Sequence, residues 1–259
     1  MTELPLIPGA EPLSAAGSDV GVLVVHGFTG NPSTMRPLAD ALVAAGFTVE
    51  MPRLPGHGTT IEDMATTTWA DWSGAAESAY LDLAGRCRSV VVAGLSMGGT
   101  LTAWLAARHP ELAGIVCINP AVSPREPEVK EMVTLMLAAG ETVSPGIGSD
   151  IADPDALENA YPGTPVGPLL SLFSGVADLT PRLDRIRCPV LIATSIDDHV
   201  VAPNNSDVLA ACVTGPVERL TCHRSYHVVT LDYDKAEVIA ATVEFAHKVT
   251  SSHRYRRGT

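Results

Sequence analysis

Basic charge is scarce in this chain. Its 259 residues include 17 Lys and Arg against 29 Asp and Glu, a formal net charge of -12. An excess of carboxylates repels phosphate backbones, so nucleic acid is not an expected partner. The one basic cluster, His253-Arg254-Tyr255-Arg256-Arg257, reads as a solvated tail, with transient contact to a membrane surface as the lesser alternative. No apolar run is long enough to span a bilayer. Met1 to Pro12 has neither the basic start nor the continuous apolar stretch of a secretory signal. The five cysteines (Cys87, Cys117, Cys188, Cys212, Cys222) are odd in number and form no C-x-x-C pair, and no His/Cys grouping has metal-ligand spacing. Neither a disulfide framework nor a metal is therefore expected. Four of these cysteines lie in or beside apolar runs, as small buried thiols do, which suits a reducing, cytoplasmic location. Repeats and low-complexity tracts are absent as well.

What the chain does have is apolar residues, 46% of the total, enough for a packed globule. They fall in short runs: Val20 to Val25, Phe47 to Val49, Ser89 to Ala93, Gly114 to Ile118, Val190 to Ala193 and Val217 to Thr221. Continuously apolar strands are buried on both faces, which predicts a mostly parallel sheet covered by helices. Amphipathic patterns alternate with them over Ser33 to Ala45, Trp69 to Ala84, Thr100 to Arg108, Asn204 to Val213 and about Asp234 to Val249, with Asp232 or Asp234 placed to cap the last. This alternation predicts a doubly wound α/β fold.

One stretch breaks the rhythm. From about Pro124 to Thr180 no good strand is found, while Gly and Pro recur. Helices fit Pro127 to Ala139, with Val129, Met132, Val133, Met136 and Leu137 on one face, and Pro168 to Asp178. So long an interruption is read as functional. Residues 124–180 are expected to form a cap inserted into a core of residues 1–123 and 181–259.

Gly94-Leu95-Ser96-Met97-Gly98 matches G-x-S-x-G directly between a strand and a helix. In a nucleophile elbow the small residues two before and two after the serine relieve the crowding of a sharp turn that exposes its hydroxyl. The helix N-terminus there favours developing negative charge. An ordinary Gly-rich turn holding a phosphate is the plainer alternative. Just after the first buried strand comes His26-Gly27-Phe28-Thr29-Gly30. In such a fold this loop and the residue after the nucleophile supply the oxyanion donors, which nominates the backbone N–H groups of Phe28 and Met97. Losing one such donor typically costs about 3–4 kcal/mol of transition-state stabilisation.

A serine hydroxyl needs an imidazole to take its proton and a carboxylate to hold that imidazole. Two loops at C-terminal strand ends, where α/β sheets carry their ligands, offer candidates: Asp197 and Asp198 on one, His223 and His227 on the other. His227 lies beyond its strand, where the loop can fold back over Ser96, and is favoured over His223; Asp198 is favoured over Asp197. His26 reads as structural, His57 as a turn residue, and His109, His247 and His253 as solvated.

Together these residues resemble the bacterial monoacylglycerol lipases and the related small thermophilic carboxylesterases. The resemblance runs through Gly9-Ala10-Glu11-Pro12, His26 to Gly30, Met35 to Ala39, Gly56-His57-Gly58-Thr59, Gly94 to Thr100, Asp198-His199-Val200-Val201, Ser225-Tyr226-His227 and Thr230 to Asp234. It implies an α/β-hydrolase without cofactor, with a small cap and with Asp198 as the acid. By the same resemblance Ile147 would touch the acyl or glycerol region, Glu158 would accept hydrogen bonds from glycerol hydroxyls, and Asn119 would sit near the site as a further substrate-binding residue. The first cap helix matches poorly. Plain packing is the simpler account of Met132 and Met136, and a solvated helix position that of Glu158. The expected activity is hydrolysis of monoacylglycerols or similar esters through an acyl-Ser96 intermediate. A thioesterase with the same machinery and a ligand-binding protein on a hydrolase scaffold are the alternatives.

Overall fold

The structure, a computed structural model, describes residues 4–146 and 149–251. In chain order its elements are β1 (Leu13–Ala15), β2 (Val20–Val25), α1 (Arg36–Ala44), β3 (Thr48–Met51), α2 (Ile61–Met64), α3 (Trp69–Ala84), β4 (Ser89–Leu95) and α4 (Met97–Arg108). Then follow β5 (Gly114–Ile118), α5 (Pro127–Ala138), β6 (Val143–Pro145), β7 (Gly163–Pro165), α6 (Val166–Leu179), β8 (Val190–Ser195), α7 (Asn204–Cys212), β9 (Val217–Cys222) and α8 (Lys235–Ser251). Seven strands form one sheet in the order β1-β3-β2-β4-β5-β8-β9. Every pairing is parallel except β1 with β3, where Leu13 faces Met51.

Every residue of β2, β4, β5 and β8 is buried, as continuously apolar runs require. One face of the sheet sends Leu23, Val25, Val92 and Ile115 into a core with Trp72, Tyr80 and Leu101 of α3 and α4. The other sends Val22, Val24, Val91 and Val116 against Leu38 and Leu42 of α1 and Phe245 of α8. Each fully buried Leu or Val contributes roughly 1.5–3 kcal/mol over exposure. The edge strand β9 is more open, with Glu218, Arg219 and Thr221 exposed and only Cys222 buried. At the start of α3, the Asp71 carboxylate accepts the Thr68 N–H at 2.8 Å and fixes the helix there.

Several expectations change. β1 was not foreseen, because three residues carry no readable alternation. The stretch from 124 to 180, expected to lack strands, holds β6 and β7, paired antiparallel. On α5 only Val133 is buried, against Val166 and Phe173. Met132 and Leu137, placed with Val133 on the packing face, are 55% and 40% exposed, because α6 alone cannot cover so wide a stripe.

His109 is not solvated: its Nε2 lies 2.8 Å from Glu77 Oε1 and its ring sits 4.5 Å from that of Tyr80, since α3 and α4 converge at that helix end. His57 does occupy a turn, between Gly56 and Gly58 at positive φ, but its ring is fully buried. Among the described residues, no helix is long and apolar enough to cross a membrane and no cluster of His, Cys, Asp or Glu is arranged to hold a metal ion. All five cysteines are free.

Candidate active site

The central strand β4 ends at Leu95 and α4 begins at Met97, leaving Ser96 to make the whole turn at φ 57°, ψ -119°. That conformation is strained for a residue with a Cβ. A Cβ on Gly94 would lie 2.2 Å from the Gly98 carbonyl oxygen, and one on Gly98 would lie 2.1 Å from that of Val25. Only glycine fits at either position. The Ser96 N–H donates to the Ile118 carbonyl at 2.9 Å, while its side chain is the one partly exposed group in a run of buried residues from 90 to 100.

Beside it runs the loop after β2. His26 Nε2 accepts the Leu54 N–H at 3.1 Å, which leaves the proton on Nδ1, 3.0 Å from the Gly27 carbonyl it donates to. Burial pushes this imidazole down to about 3 and that of His57 to about 4, so both are neutral props. The Phe28 ring packs edge-on against Trp72, centroids 5.5 Å apart. Phe28 and Met97 both border the cavity that contains Ser96, and neither backbone N–H has a protein acceptor among the described residues.

Across the same cavity stands His227, its Nδ1 donating to Asp198 Oδ2 at 2.7 Å. Asp198 Oδ1 accepts the N–H groups of Val200 and Val201, each at 2.8 Å. The three bonds fix a carboxylate whose side chain is 1% exposed. Asp197 and His223 are exposed and take no part. Ser96 Oγ has no hydrogen bond among the described residues; such contacts often tighten only when substrate binds.

The cavity measures about 390 Å3. Helices α5 and α6 supply an apolar wall that includes Val129, Val133, Met136, Leu172, Phe173 and Val176, while Asp150, Glu158 and Tyr161 bring polar groups. Glu158 lies in this cavity, not on a solvated helix. Its carboxylate has no hydrogen-bonding partner among the described residues, and burial, with Asp150 nearby and against the pull of His227, pushes it up to about 7. Asn119 does not line the cavity. Its amide donates to Ser195 Oγ at 3.1 Å and to the His227 carbonyl at 2.8 Å, and its oxygen accepts the Ser195 N–H at 2.8 Å. With its side chain so committed it braces the site from beneath and has nothing left for substrate. Ile147 lies outside the described residues.

Three roles went unread in the sequence. Tyr161 donates its hydroxyl to the Gly56 carbonyl at 2.8 Å and accepts the Thr59 N–H at 2.9 Å, joining the stretch after α5 to the turn around His57. Asp232 is fully buried and accepts four backbone N–H groups, from Ala152, Asp153, Tyr226 and Tyr233; it holds loops and does not cap α8. Asp150 is taken up below. Only the motifs around them hinted at these roles, since each depends on a partner distant in sequence.

A serine poised on the elbow of a central strand, in a sheet of this order, defines a serine hydrolase of the α/β-hydrolase class. A solved structure from work on two metagenome-derived lipolytic enzymes, LipS and LipT, superposes with a TM-score of 0.90 and 43% identity over 94% of this chain and 100% of that one. The monoacylglycerol lipase of Paleococcus ferrophilus shares the fold at TM-score 0.76 and 18% identity, covering 92% and 99%. The chain belongs to the Hydrolase_4 family, described as serine aminopeptidase S33, whose pattern matches residues 18–234. Within reach of it is a thermostable monoacylglycerol lipase of Bacillus sp. (strain H-257), 46% identical over 249 residues, 95% of this chain and 98% of that protein. A carboxylesterase of Bacillus subtilis (strain 168) is 27% identical over 92% of this chain and 97% of its own length.

Proposed function

We propose that the chain hydrolyses carboxylic esters, monoacylglycerols foremost, with Ser96 as nucleophile, His227 as general base and acid, and Asp198 as the group that orients and stabilises the imidazole. The observation that carries this is the 2.7 Å bond between Asp198 and His227 on the cavity that also holds Ser96 and two backbone donors with no acceptor among the described residues. His227 Nε2 takes the Ser96 proton as Oγ attacks the ester carbonyl; the N–H groups of Phe28 and Met97 receive the oxyanion. Collapse of the tetrahedral adduct expels the alcohol, which takes the proton from His227. Water, activated by the same imidazole, then releases the fatty acid and restores Ser96. Asp198 stays ionised throughout.

An apolar wall beside a carboxylate with no partner among the described residues suits an amphiphile. The acyl chain lies along α5 and α6, and Glu158 faces the hydroxyls of the glycerol. Residues 124–180 act as the cap that shapes this chamber, and with five free thiols the chain works in the cytoplasm. The family's description raises one rival: the same carboxylate would suit the amino group of a peptide. A panel of monoacylglycerols, alkyl esters of matched acyl length and aminoacyl arylamides decides. The monoacylglycerols are expected to give the highest kcat/KM and the arylamides no turnover above background; a preference for arylamides would reverse the assignment.

A further inference from the structure

The loops carrying Asp198 and His227 are tied together by one side chain that belongs to neither. Asp150 Oδ2 accepts the backbone N–H of His227 at 3.0 Å and that of His199 at 3.2 Å, while Oδ1 accepts the His199 Nδ1 proton at 2.8 Å. The Asp150 carbonyl accepts the Val228 N–H at 3.1 Å. Its carboxylate is 11% exposed, enclosed enough for charge-assisted bonds to hold. From the other side Asn119 donates to the His227 carbonyl at 2.8 Å. The backbone of His227 is thus gripped at both its N–H and its C=O by side chains from outside its own loop.

That grip matters because the imidazole must serve two partners in turn, Ser96 Oγ and the leaving oxygen, without losing Asp198. Its ring can turn about its side-chain bonds, so its place is set by its backbone. A shift of about 1 Å in a reacting group can cost on the order of 100-fold in rate. Asp232 makes a contrast: its four bonds touch neither His227 nor the Asp198 loop.

We propose that Asp150 is a positioning residue for the base: resting on the reading of Ser96, Asp198 and His227 above, it locks the His227 backbone to the acid loop so that the imidazole stays aligned. The charged groups facing His227 are Asp198 from the loop after β8, and Asp150 and Glu158 from the stretch between α5 and β7. Of these only Asp150 bonds to the backbone of both loops.

The test uses p-nitrophenyl butyrate, whose leaving group needs no glycerol contact, with the full chain and thermal melts of each variant. Asp150→Ala is expected to lose about 30-fold in kcat with KM within about twofold of the parent. Asp150→Asn keeps a carbonyl oxygen for the His227 N–H and is expected to recover to within about fivefold of the parent. Asp232→Asn is expected to melt lower yet keep kcat within about twofold while folded. A folded Asp150→Ala with parental kcat, a loss confined to KM, or an Asn variant no better than Ala overturns the proposal. If Asp150→Ala shows no cooperative melt, Asp150→Asn is read alone: a loss of about threefold or more in kcat at unchanged KM supports the proposal and full kcat overturns it. Turnover that survives Ser96→Ala defeats the underlying reading instead, so the two failures are distinguishable.

Discussion

A largely enclosed carboxylate with no donor is an expense to the fold, and among the described residues Glu158 is one. Its folded value of about 7 stands above the ordinary 4.5, so between those values the folded chain retains a proton that the unfolded chain has released. Stability therefore falls as pH rises through this window, by at most about 3 kcal/mol at pH 8. Glu158→Gln is expected to melt above the parent at pH 8, with the gap shrinking to under about 1 kcal/mol at pH 5. Equal melting at pH 8 would mean the carboxylate has a partner. The buried His26 and His57 act with the opposite sign: their depressed values leave them neutral when the unfolded chain protonates, so stability drops as pH falls from 6.5 toward 4. That slope is common to parent and variant and cancels in the difference. At this scale the site was only partly legible. Ser96 announced itself through flanking glycines, and Asp198 and His227 through their places after strands. Asn119 was misplaced because its sequence neighbours do not reveal that its amide is already committed to Ser195 and His227.

Elements were read best where their pattern is long and their burial complete. The runs behind β2, β4, β5 and β8 are apolar throughout because helices cover both faces, and a sequence shows that directly. β1, β6 and β7 have three residues each, too few to show a period, and owe their existence to the strands they meet. α5 shows the converse failure: its sequence stripe is wide, but only Val133 finds a buried place. The elbow is the element most tightly specified by sterics. Because the α4 backbone runs so near β2, Gly98→Ala would drive its methyl into the Val25 carbonyl at 2.1 Å. We expect it to destabilise the chain by more than about 3 kcal/mol or to prevent folding, as overpacking against rigid backbone does. A thermal melt within a degree or two of the parent would show that the two strands and the helix are not so closely set.

The whole molecule brings together a serine, an aspartate and a histidine that are 102 and 29 residues apart in sequence. Strand order does this, because β4, β8 and β9 lie within one parallel sheet and all deliver their C-terminal loops to the same edge. The class of fold was legible from alternation alone; the alignment of the proposed triad was not, since the His227 backbone is held by Asp150 and Asn119, both distant from it in sequence. The most direct test is rapid quenching of the chain with a slowly deacylating ester, followed by mass analysis of its peptides. An acyl group is expected on the peptide containing Ser96, approaching one per chain, and Ser96→Ala is expected to lose both the adduct and turnover while melting like the parent. An adduct on another residue, or undiminished hydrolysis by folded Ser96→Ala, would contradict the account.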